Sequence, residues 1–176
     1  MNPFFLLFGF LPSFAWLFFF LKEDLHPEPK KMIVRVFVAG GVVTFVAVFV
    51  ELFAQSFLAL FGVFKDHPVS FFIFAAIEEI LKFCAAYWII RRSAFFNEPV
   101  DAMIYTVIAA LGFALVENVA VIAKMEDLSY AVGVLTLRFI GATLLHSLSS
   151  ALLGYYWALG LLRGRLFAFL IKGFLF

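Results

Sequence analysis

Long apolar runs alternate with short polar turns along the whole chain. About 20 apolar residues in a helix are enough to cross the hydrocarbon core of a bilayer. The turns between the runs contain prolines, which stop a helix from continuing, or small clusters of charged residues. The pattern therefore predicts an all-α, polytopic transmembrane helix bundle with about five to six membrane segments. The predicted segments lie at about residues 3–21, 36–61, 69–90, 102–123 and 130–162, with a sixth after residue 165.

Three of these segments are irregular. Pro12 lies inside the first segment and is expected to kink it. The fifth segment is too long for one straight span, so its first part is expected to lie at the membrane interface or to re-enter. The sixth segment stops at Phe176, only partly across the membrane. We therefore expect residues 1–176 to form a single integral-membrane domain, with a catalytic-like core at 69–162 and an incomplete sixth segment.

Composition favours a membrane protein over a soluble domain. Of the 176 residues, 65% are hydrophobic and 14% are charged. Soluble domains are typically about 45–50% apolar and about 25% charged. The formal net charge of +1 indicates no nucleic-acid partner. The single cysteine, Cys84, excludes an internal disulfide and supplies no metal-binding motif.

Lysine and arginine are distributed unevenly over the polar turns. Eight of them flank the first, third and fifth turns, whereas the second and fourth turns have only Lys65 and Lys124. Basic residues favour the cytoplasmic side of a membrane. The asymmetry predicts an integral membrane protein whose N-terminus lies outside.

Three charged residues interrupt the third apolar run. Glu78, Glu79 and Lys82 are the charged residues between Val69 and Ile90. A charge near the middle of a bilayer costs about 2.5–3.5 kcal/mol on insertion scales, and such residues are usually functional. Lys82 lies one helical turn from both glutamates, so pairing within the helix is also expected.

Further polar residues in the fourth and fifth segments lie at a comparable depth. At about 1.5 Å per helical residue, the glutamate pair lies roughly 14–15 Å from the outer surface and Glu117 roughly 9 Å. Three helices are therefore expected to bring one set of polar residues towards a single layer. This set comprises Glu78, Glu79, Lys82, Glu117, Asn118, Arg138 and His146.

The charges of this layer do not balance. If all are ionised, the three carboxylates contribute −3 and the two cations, Lys82 and Arg138, contribute +2, which leaves −1. Either one carboxyl group keeps a proton or a cation binds. Ser147 and Ser149 are interpreted as packing residues, and Glu51 in the second segment as an interhelical hydrogen-bond partner.

Three motifs stand in order on three predicted helices. They are Glu78-Glu79-x-x-Lys82, Phe113-x-x-x-Glu117-Asn118 and His146-x-x-x-Ser150. This ordered set resembles the PrsW family of intramembrane proteases, relatives of the CAAX prenyl protease and abortive-infection superfamily. The resemblance covers about residues 69–162 and implies hydrolysis of a peptide bond within the membrane. The founding members of the family cleave anti-sigma factors in bacterial stress signalling.

The resemblance also implies a substrate, a location and a set of site residues. The substrate would be a single-span protein embedded in the lipid bilayer of a prokaryotic plasma membrane. The implied catalytic residues are Glu78, Glu79, Glu117 and His146. The residues interpreted as supporting them are Lys82, Asn118, Arg138 and Ser150.

Amide hydrolysis by these residues requires an activated water, a proton donor for the leaving amine and donors for the oxyanion. Glu79 is the preferred general base, with Glu78 paired to Lys82 at the i, i+4 spacing. Asn118 would assist His146 at the oxyanion. A metal-free mechanism is favoured, because the sequence has no H-E-x-x-H motif and Lys82 would repel a cation. If a divalent metal such as zinc binds, its ligands would be Glu78, Glu79, Glu117 and His146.

Two other classes of function use the same residues differently. A non-catalytic scaffold of the same superfamily would bind membrane helices without cleaving them. A proton- or cation-coupled transporter would use the buried carboxylates and His146 as a relay. Internal repeat symmetry would favour the transporter, and none is evident in the sequence.

Overall fold

A computed structural model describes residues 4–22 and 26–175 of the chain. These residues contain α-helices and one π-helical turn but no strand, so the prediction of an all-α bundle is confirmed. The start of the first predicted segment, residues 23–25 of the first turn and Phe176 lie outside the described residues. The helices are α1 (Phe4–Phe8), α2 (Leu11–Lys22), α3 (Lys30–Ala59), α4 (Pro68–Ile90), α5 (Asp101–Ile122), α6 (Leu128–Arg138), α7 (Leu144–Leu162) and α8 (Leu166–Leu175).

Several of these helices have the length and composition of membrane spans. By those two criteria α3, α5 and the continuous run Ser129–Leu162 can each cross a bilayer. With 23 residues, α4 is one residue longer than α5, but it carries the three charged residues Glu78, Glu79 and Lys82 (the charged trio). In the first segment the helix is interrupted at Gly9 and Phe10, and Pro12 lies in the first turn of α2, where proline is tolerated.

The α5 helix is the centre of the bundle, and small residues let its neighbours approach closely. A β-carbon on Gly112 of α5 would lie 1.9 Å from the carbonyl oxygen of Phe37 in α3. A β-carbon on Gly40 of α3 would lie 2.0 Å from the carbonyl oxygen of Ala109 in α5. Because no side chain larger than hydrogen fits at these points, α3 and α5 pack backbone to backbone in the half of the bundle where both helices begin.

The first and third polar turns meet at one end of the bundle. The Nδ1 atom of His26 lies 3.2 Å from a carboxylate oxygen of Glu98. Close by, the hydroxyl of Tyr105, near the start of α5, donates a hydrogen bond of 2.5 Å to Glu28. We call this end, where α3 and α5 begin and α4 and α7 end, the basic end. The opposite end carries the turns with Lys65 and Lys124.

The fifth segment is one continuous helical run and not a re-entrant one. A π-helical turn at Phe139–Thr143 joins α6 to α7 without a break, and Ala131 of α6 packs against Ile122 at the end of α5. The indole N–H of Trp16 donates a hydrogen bond of 2.9 Å to the carbonyl oxygen of Phe139. The extra residue of the π-helical turn changes the direction in which α6 side chains point relative to those of α7.

Candidate active site

The structure brings the predicted polar residues of three segments together at the contact between α4, α5 and the α6–α7 run. Lys82 of α4 is at the centre, and its side chain is only 1% exposed. Its ammonium nitrogen lies 2.5 Å from Oε1 of Glu79, 2.9 Å from Nδ1 of His146 and 3.8 Å from Oε2 of Glu78. The same nitrogen lies 5.0 Å from the centre of the Phe113 ring, in cation–π geometry.

Glu79 is the glutamate that is fully engaged. The hydroxyl of Ser149 donates to its Oε1 and the hydroxyl of Ser150 donates to its Oε2, each at a distance of 2.8 Å. Lys82 also contacts Oε1. The expected closest partner of Lys82, Glu78, is therefore wrong, because the ammonium nitrogen lies 2.5 Å from Glu79 and 3.8 Å from Glu78. The physical reason is that α7 presents two hydroxyls to the Glu79 side of α4, and the sequence of α4 alone does not contain this information.

The interpretation of Ser149 as a packing residue is also wrong. Ser149 and Ser150 follow His146 by three and four residues, so both lie one helical turn from it. The sequence identified Ser150 by this spacing, and the same spacing could have identified Ser149. Ser147, in contrast, is fully buried and donates to the carbonyl oxygen of Thr143 in the preceding turn, as a packing residue does.

His146 connects α4 to α5. Its Nε2 lies 2.9 Å from Oε2 of Glu117, and its Nδ1 lies 2.9 Å from the ammonium of Lys82. An ammonium group has donors only, so Nδ1 must accept from Lys82. The proton of a neutral imidazole then lies on Nε2 and is donated to Glu117. This network fixes both the tautomer and the orientation of the ring.

Glu117 is held from a second direction by Arg138 of α6. Nη2 of Arg138 lies 3.1 Å from Oε2 of Glu117. The Nε–H of Arg138 donates a hydrogen bond of 2.5 Å to Oδ1 of Asn118. Asn118 is fully buried and donates in turn to the hydroxyl of Thr143 in the π-helical turn. Asn118 thus lies behind Glu117 and holds Arg138, which differs from its expected position beside His146 at an oxyanion.

Glu78 is the less constrained carboxylate of the pair. Its Oε2 lies 3.8 Å from Lys82 and 3.7 Å from Nδ1 of His146, beyond hydrogen-bond reach in both cases. It lines a cavity of about 220 Å³ between α3, α4 and α5, together with Glu117 and Glu51. Glu78 and Glu117 therefore present carboxylate oxygens to a space that a small reactant can enter.

The donor atoms of this layer fit a divalent cation. Glu78, Glu117 and His146 offer one ligand atom each, all within 4.8 Å of one another. Carboxylate oxygen and imidazole nitrogen are ordinary zinc ligands, and a net charge of −1 on the ionised layer favours a cation. Glu79 was also an expected ligand, but both of its oxygens already accept hydrogen bonds. The residues that fit a metal are therefore three of the four expected.

The expected role of Glu51 as an interhelical hydrogen-bond partner is not fulfilled. Its Oε1 is buried and has no hydrogen-bond partner among the described residues. The carboxylate instead lines the cavity that contains Glu78 and Glu117. The sequence identified Glu51 as unusual, but it could not show whether another helix supplies a donor.

Comparison with known proteins agrees with these features. The profile of the family described as "PrsW family intramembrane metalloprotease" matches residues 28–176. Protease PrsW of Geobacillus kaustophilus is 29% identical over 84% of this chain and 63% of its own length. Protease PrsW of Bacillus subtilis is 28% identical over 84% of this chain and 65% of its own length. Protease PrsW of Oceanobacillus iheyensis is 26% identical, with the same two coverages of 84% and 65%.

The chain thus spans slightly less than two thirds of the length of these relatives, at 63–65%. No solved structure matches it. The family profile covers the helices that supply the charged trio, the Glu117-Asn118 pair and His146, and it extends beyond them on both sides. The chain belongs to the PrsW family.

Proposed function

We propose that this chain forms the core of an intramembrane endopeptidase that hydrolyses a peptide bond in a membrane-anchored protein. One observation carries the proposal. Glu78 and Glu117 line the same cavity, and their ligand atoms lie within 4.8 Å of one another and of His146, whereas Glu79 and Lys82 are engaged with each other and with α7. Membership of a family whose relatives are named Protease PrsW supports it. The substrate would be a single-span protein, with an anti-sigma factor as the family's example.

In this proposal Glu78 is the general base. Water in the cavity beside Glu78 and Glu117 would lose a proton to Glu78 as its oxygen attacks the peptide carbonyl carbon. The N–H of His146 at Nε2, released from Glu117, would donate to the developing oxyanion. Glu78 would then return its proton to the nitrogen of the leaving amine. Because the Glu78 and Glu117 side chains are only 20% and 27% exposed, each of these interactions is stronger than it would be in bulk solvent.

The remaining residues position these three groups. Lys82 donates to Nδ1 of His146 and so keeps the other ring nitrogen protonated. Arg138 holds Glu117 through Nη2, and Asn118 holds Arg138. Ser149 and Ser150 keep Glu79 paired with Lys82 and thereby fix the position of the ammonium group.

The donor set also supports a metal-assisted form of the reaction. The residues that would hold a divalent cation are Glu78, Glu117 and His146. Such a cation supplies Lewis-acid polarisation of a carbonyl and of bound water. Metal-free hydrolysis, which the sequence favours, stays a prediction, and the zinc titration in the Discussion distinguishes the two forms.

Cleavage of single-span substrates in proteoliposomes tests the proposal. Replacing Glu78 by Gln keeps the shape of the side chain but removes the base, and we expect turnover to fall by about 10²-fold or more. Glu126→Gln, in the exposed turn after α5, is the matched control and should cleave at the parental rate. Equal rates for Glu78→Gln and the parent would rule out this site as the protease centre.

A further inference from the structure

The cavity beside Glu78 is also lined by Glu51 and Lys124, which have no role in the proposed reaction. It lies between α3, α4 and α5, and its polar lining runs from Glu78 and Glu117 past Glu51 to Lys124. Its volume of about 220 Å³ is several times the roughly 30 Å³ that one water molecule takes up in the liquid. The cavity therefore has both the size and the polar groups that bound water requires.

Two buried oxygen atoms on α3 lack partners in this region. Oε1 of Glu51 and Oε1 of Gln55 are both buried, and neither has a hydrogen-bond partner among the described residues. The two residues are four apart, so they lie on the same face of α3 in successive turns. A buried polar atom without a partner is costly, and ordered water commonly satisfies such atoms in polar cavities. Two such atoms in one line indicate a hydrated face on α3.

Between α3 and α5 the hydrated face is closed towards the basic end. Towards the basic end, α3 and α5 are in backbone contact at Gly40 and Gly112, and a β-carbon there would lie within 2.0 Å of a carbonyl oxygen. Water cannot pass between helices at that separation. Towards the opposite end, Nε2 of Gln55 donates a hydrogen bond of 3.4 Å to the carbonyl oxygen of Val63, in the turn after α3. Lys124 also lies at this end.

Glu51 has charged neighbours, and its carboxyl group is suited to binding water in the cavity. Glu51 lies within electrostatic reach of Glu117, Lys65 and Lys82. The oxygen atoms of a carboxyl group accept hydrogen bonds from water in either protonation state. Water molecules that donate to Glu51 would present their oxygen atoms towards its neighbours in the cavity.

We propose that this cavity is a water route from the opposite end of the bundle to the site, and that Glu51 is a water-positioning residue within it. The purpose of the route rests on the proposed function, because hydrolysis consumes one water molecule for each peptide bond. The existence of the route does not depend on that function. The two statements are therefore tested by different measurements.

Cysteine accessibility tests the route directly. In a Cys84→Ser background, single cysteines at Glu51 and Ala47, which both line the cavity, are compared with cysteines at Leu52 and Val46. The Ala47 side chain is 1% exposed, whereas the last two side chains are 64% and 44% exposed and lie at nearly the same depths as Glu51 and Ala47. The protein is placed in lipid nanodiscs, so that both ends of the bundle are open to a quaternary-ammonium methanethiosulfonate.

The thiolate is the reacting form of cysteine and is disfavoured in apolar surroundings, so we expect Glu51→Cys and Ala47→Cys to react at least about tenfold faster than their neighbours. Equal slow rates in each pair would overturn the route. Ala47→Cys leaves Glu51 in place, so the comparison stands even if Glu51→Cys does not fold. Fast reaction without substrate cleavage would support the route and reject the proposed function.

Turnover kinetics test the positioning role of Glu51. Leucine cannot hold water, whereas the amide of glutamine can, so we expect Glu51→Leu to lower kcat by about tenfold at an unchanged KM and Glu51→Gln to restore most of that loss. If Glu51 had only a structural role, Glu51→Leu would lower the melting temperature and kcat together, and Glu51→Gln would not restore kcat. An unchanged kcat in Glu51→Leu would overturn the role of Glu51.

Discussion

The ammonium nitrogen of Lys82 lies 2.5 Å from Oε1 of Glu79, three residues earlier on the same helix. The Lys82 side chain is 1% exposed and the Glu79 side chain is 20% exposed, so this ion pair is largely buried. Two serine hydroxyls of α7 complete the hydrogen bonds of Glu79. A buried pair of this kind is costly to break, because the remaining charge has no replacement partner.

Removing the charge of Glu79 should therefore destabilise the protein. In Glu79→Gln the ammonium of Lys82 loses its closest charged partner, and the nearest remaining carboxylate is Glu78 at 3.8 Å. We expect a loss of about 3 kcal/mol, the lower end of the range for broken buried pairs. Thermal melting in detergent measures this effect. Glu78→Gln should melt close to the parent, because both contacts of Glu78 are longer than hydrogen bonds.

A double variant distinguishes lost pairing from other damage. Lys82→Met combined with Glu79→Gln removes both charges and keeps the volume of the two side chains nearly constant. Its melting temperature should recover most of the loss seen in Glu79→Gln. The pairing assigned to Glu79 is contradicted if Glu78→Gln is the variant that unfolds, or if the double variant melts below Glu79→Gln.

Two serines of α7 provide a second test. Ser150 is 1% exposed and donates to the carboxylate of Glu79, whereas Ser147 is 0% exposed and donates to a carbonyl oxygen in its own helix. A hydrogen bond to a charged group contributes about 1.5–3 kcal/mol, and one between neutral groups about 0.5–1.5 kcal/mol. Ser150→Ala should thus cost more stability than Ser147→Ala. Equal melting temperatures would contradict the contact with Glu79.

Much of the fold and part of the site follow from the sequence. The apolar runs predict helices that match α4, α5 and the continuous α6–α7 run within two residues at each end and α3 within six, because the bilayer fixes how long a spanning helix must be. The same reasoning about depth predicts that Glu78, Glu117 and His146 meet, and the three lie within 4.8 Å through their ligand atoms. Helical rise and end-to-end alternation are sufficient for this inference.

The arrangement within the layer does not follow from the sequence. Lys82 is within reach of both glutamates on its own helix, and only the hydroxyls of α7 decide for Glu79. The π-helical turn at Phe139–Thr143 changes the phase between Arg138 and His146, and no residue type marks it. Such details depend on contacts between helices, which a single periodic pattern does not contain.

The orientation of the bundle gives a prediction that does not depend on catalysis. The eight-to-two asymmetry of basic residues puts the turn at Asp66 outside and the turn at Asn97 inside. In a Cys84→Ser background, Asp66→Cys should react in intact cells with an impermeant thiol reagent, whereas Asn97→Cys should react only after lysis. The reverse pattern would overturn the orientation while leaving the fold intact.

The contact between α3 and α5 predicts opposite effects for two glycine substitutions. In Gly112→Ala the new methyl group meets the carbonyl oxygen of Phe37 at 1.9 Å, so the helices must separate. We expect a loss of about 1–3 kcal/mol, as for other overpacked sites. A β-carbon on Gly133 of α6 would have no atom within 4 Å, so Gly133→Ala should stabilise the folded protein by roughly 0.5–1 kcal/mol. Melting in detergent decides, and equal shifts would contradict the close packing.

The last prediction concerns a divalent cation. Glu78, Glu117 and His146 present ligand atoms within 4.8 Å of one another, and the ionised layer carries −1, so zinc should bind to the folded protein and stabilise it. At a zinc concentration about 100-fold above Kd the gain is about 2.7 kcal/mol, and it appears as a rise in melting temperature. A chelator should reverse the rise. His146→Ala removes the imidazole ligand and should abolish the response.

Glu126→Gln is the matched control for the zinc titration, because it removes a carboxylate in an exposed turn and should leave the response to zinc unchanged. Glu79→Gln distinguishes the two sets of ligands. If the ligands are the three converging residues, Glu79→Gln starts from a lower melting temperature but still gains stability with zinc. If all four expected ligands bind, its response is lost with that of His146→Ala. An unchanged melting temperature in the parent at every zinc concentration would instead favour hydrolysis by glutamate alone.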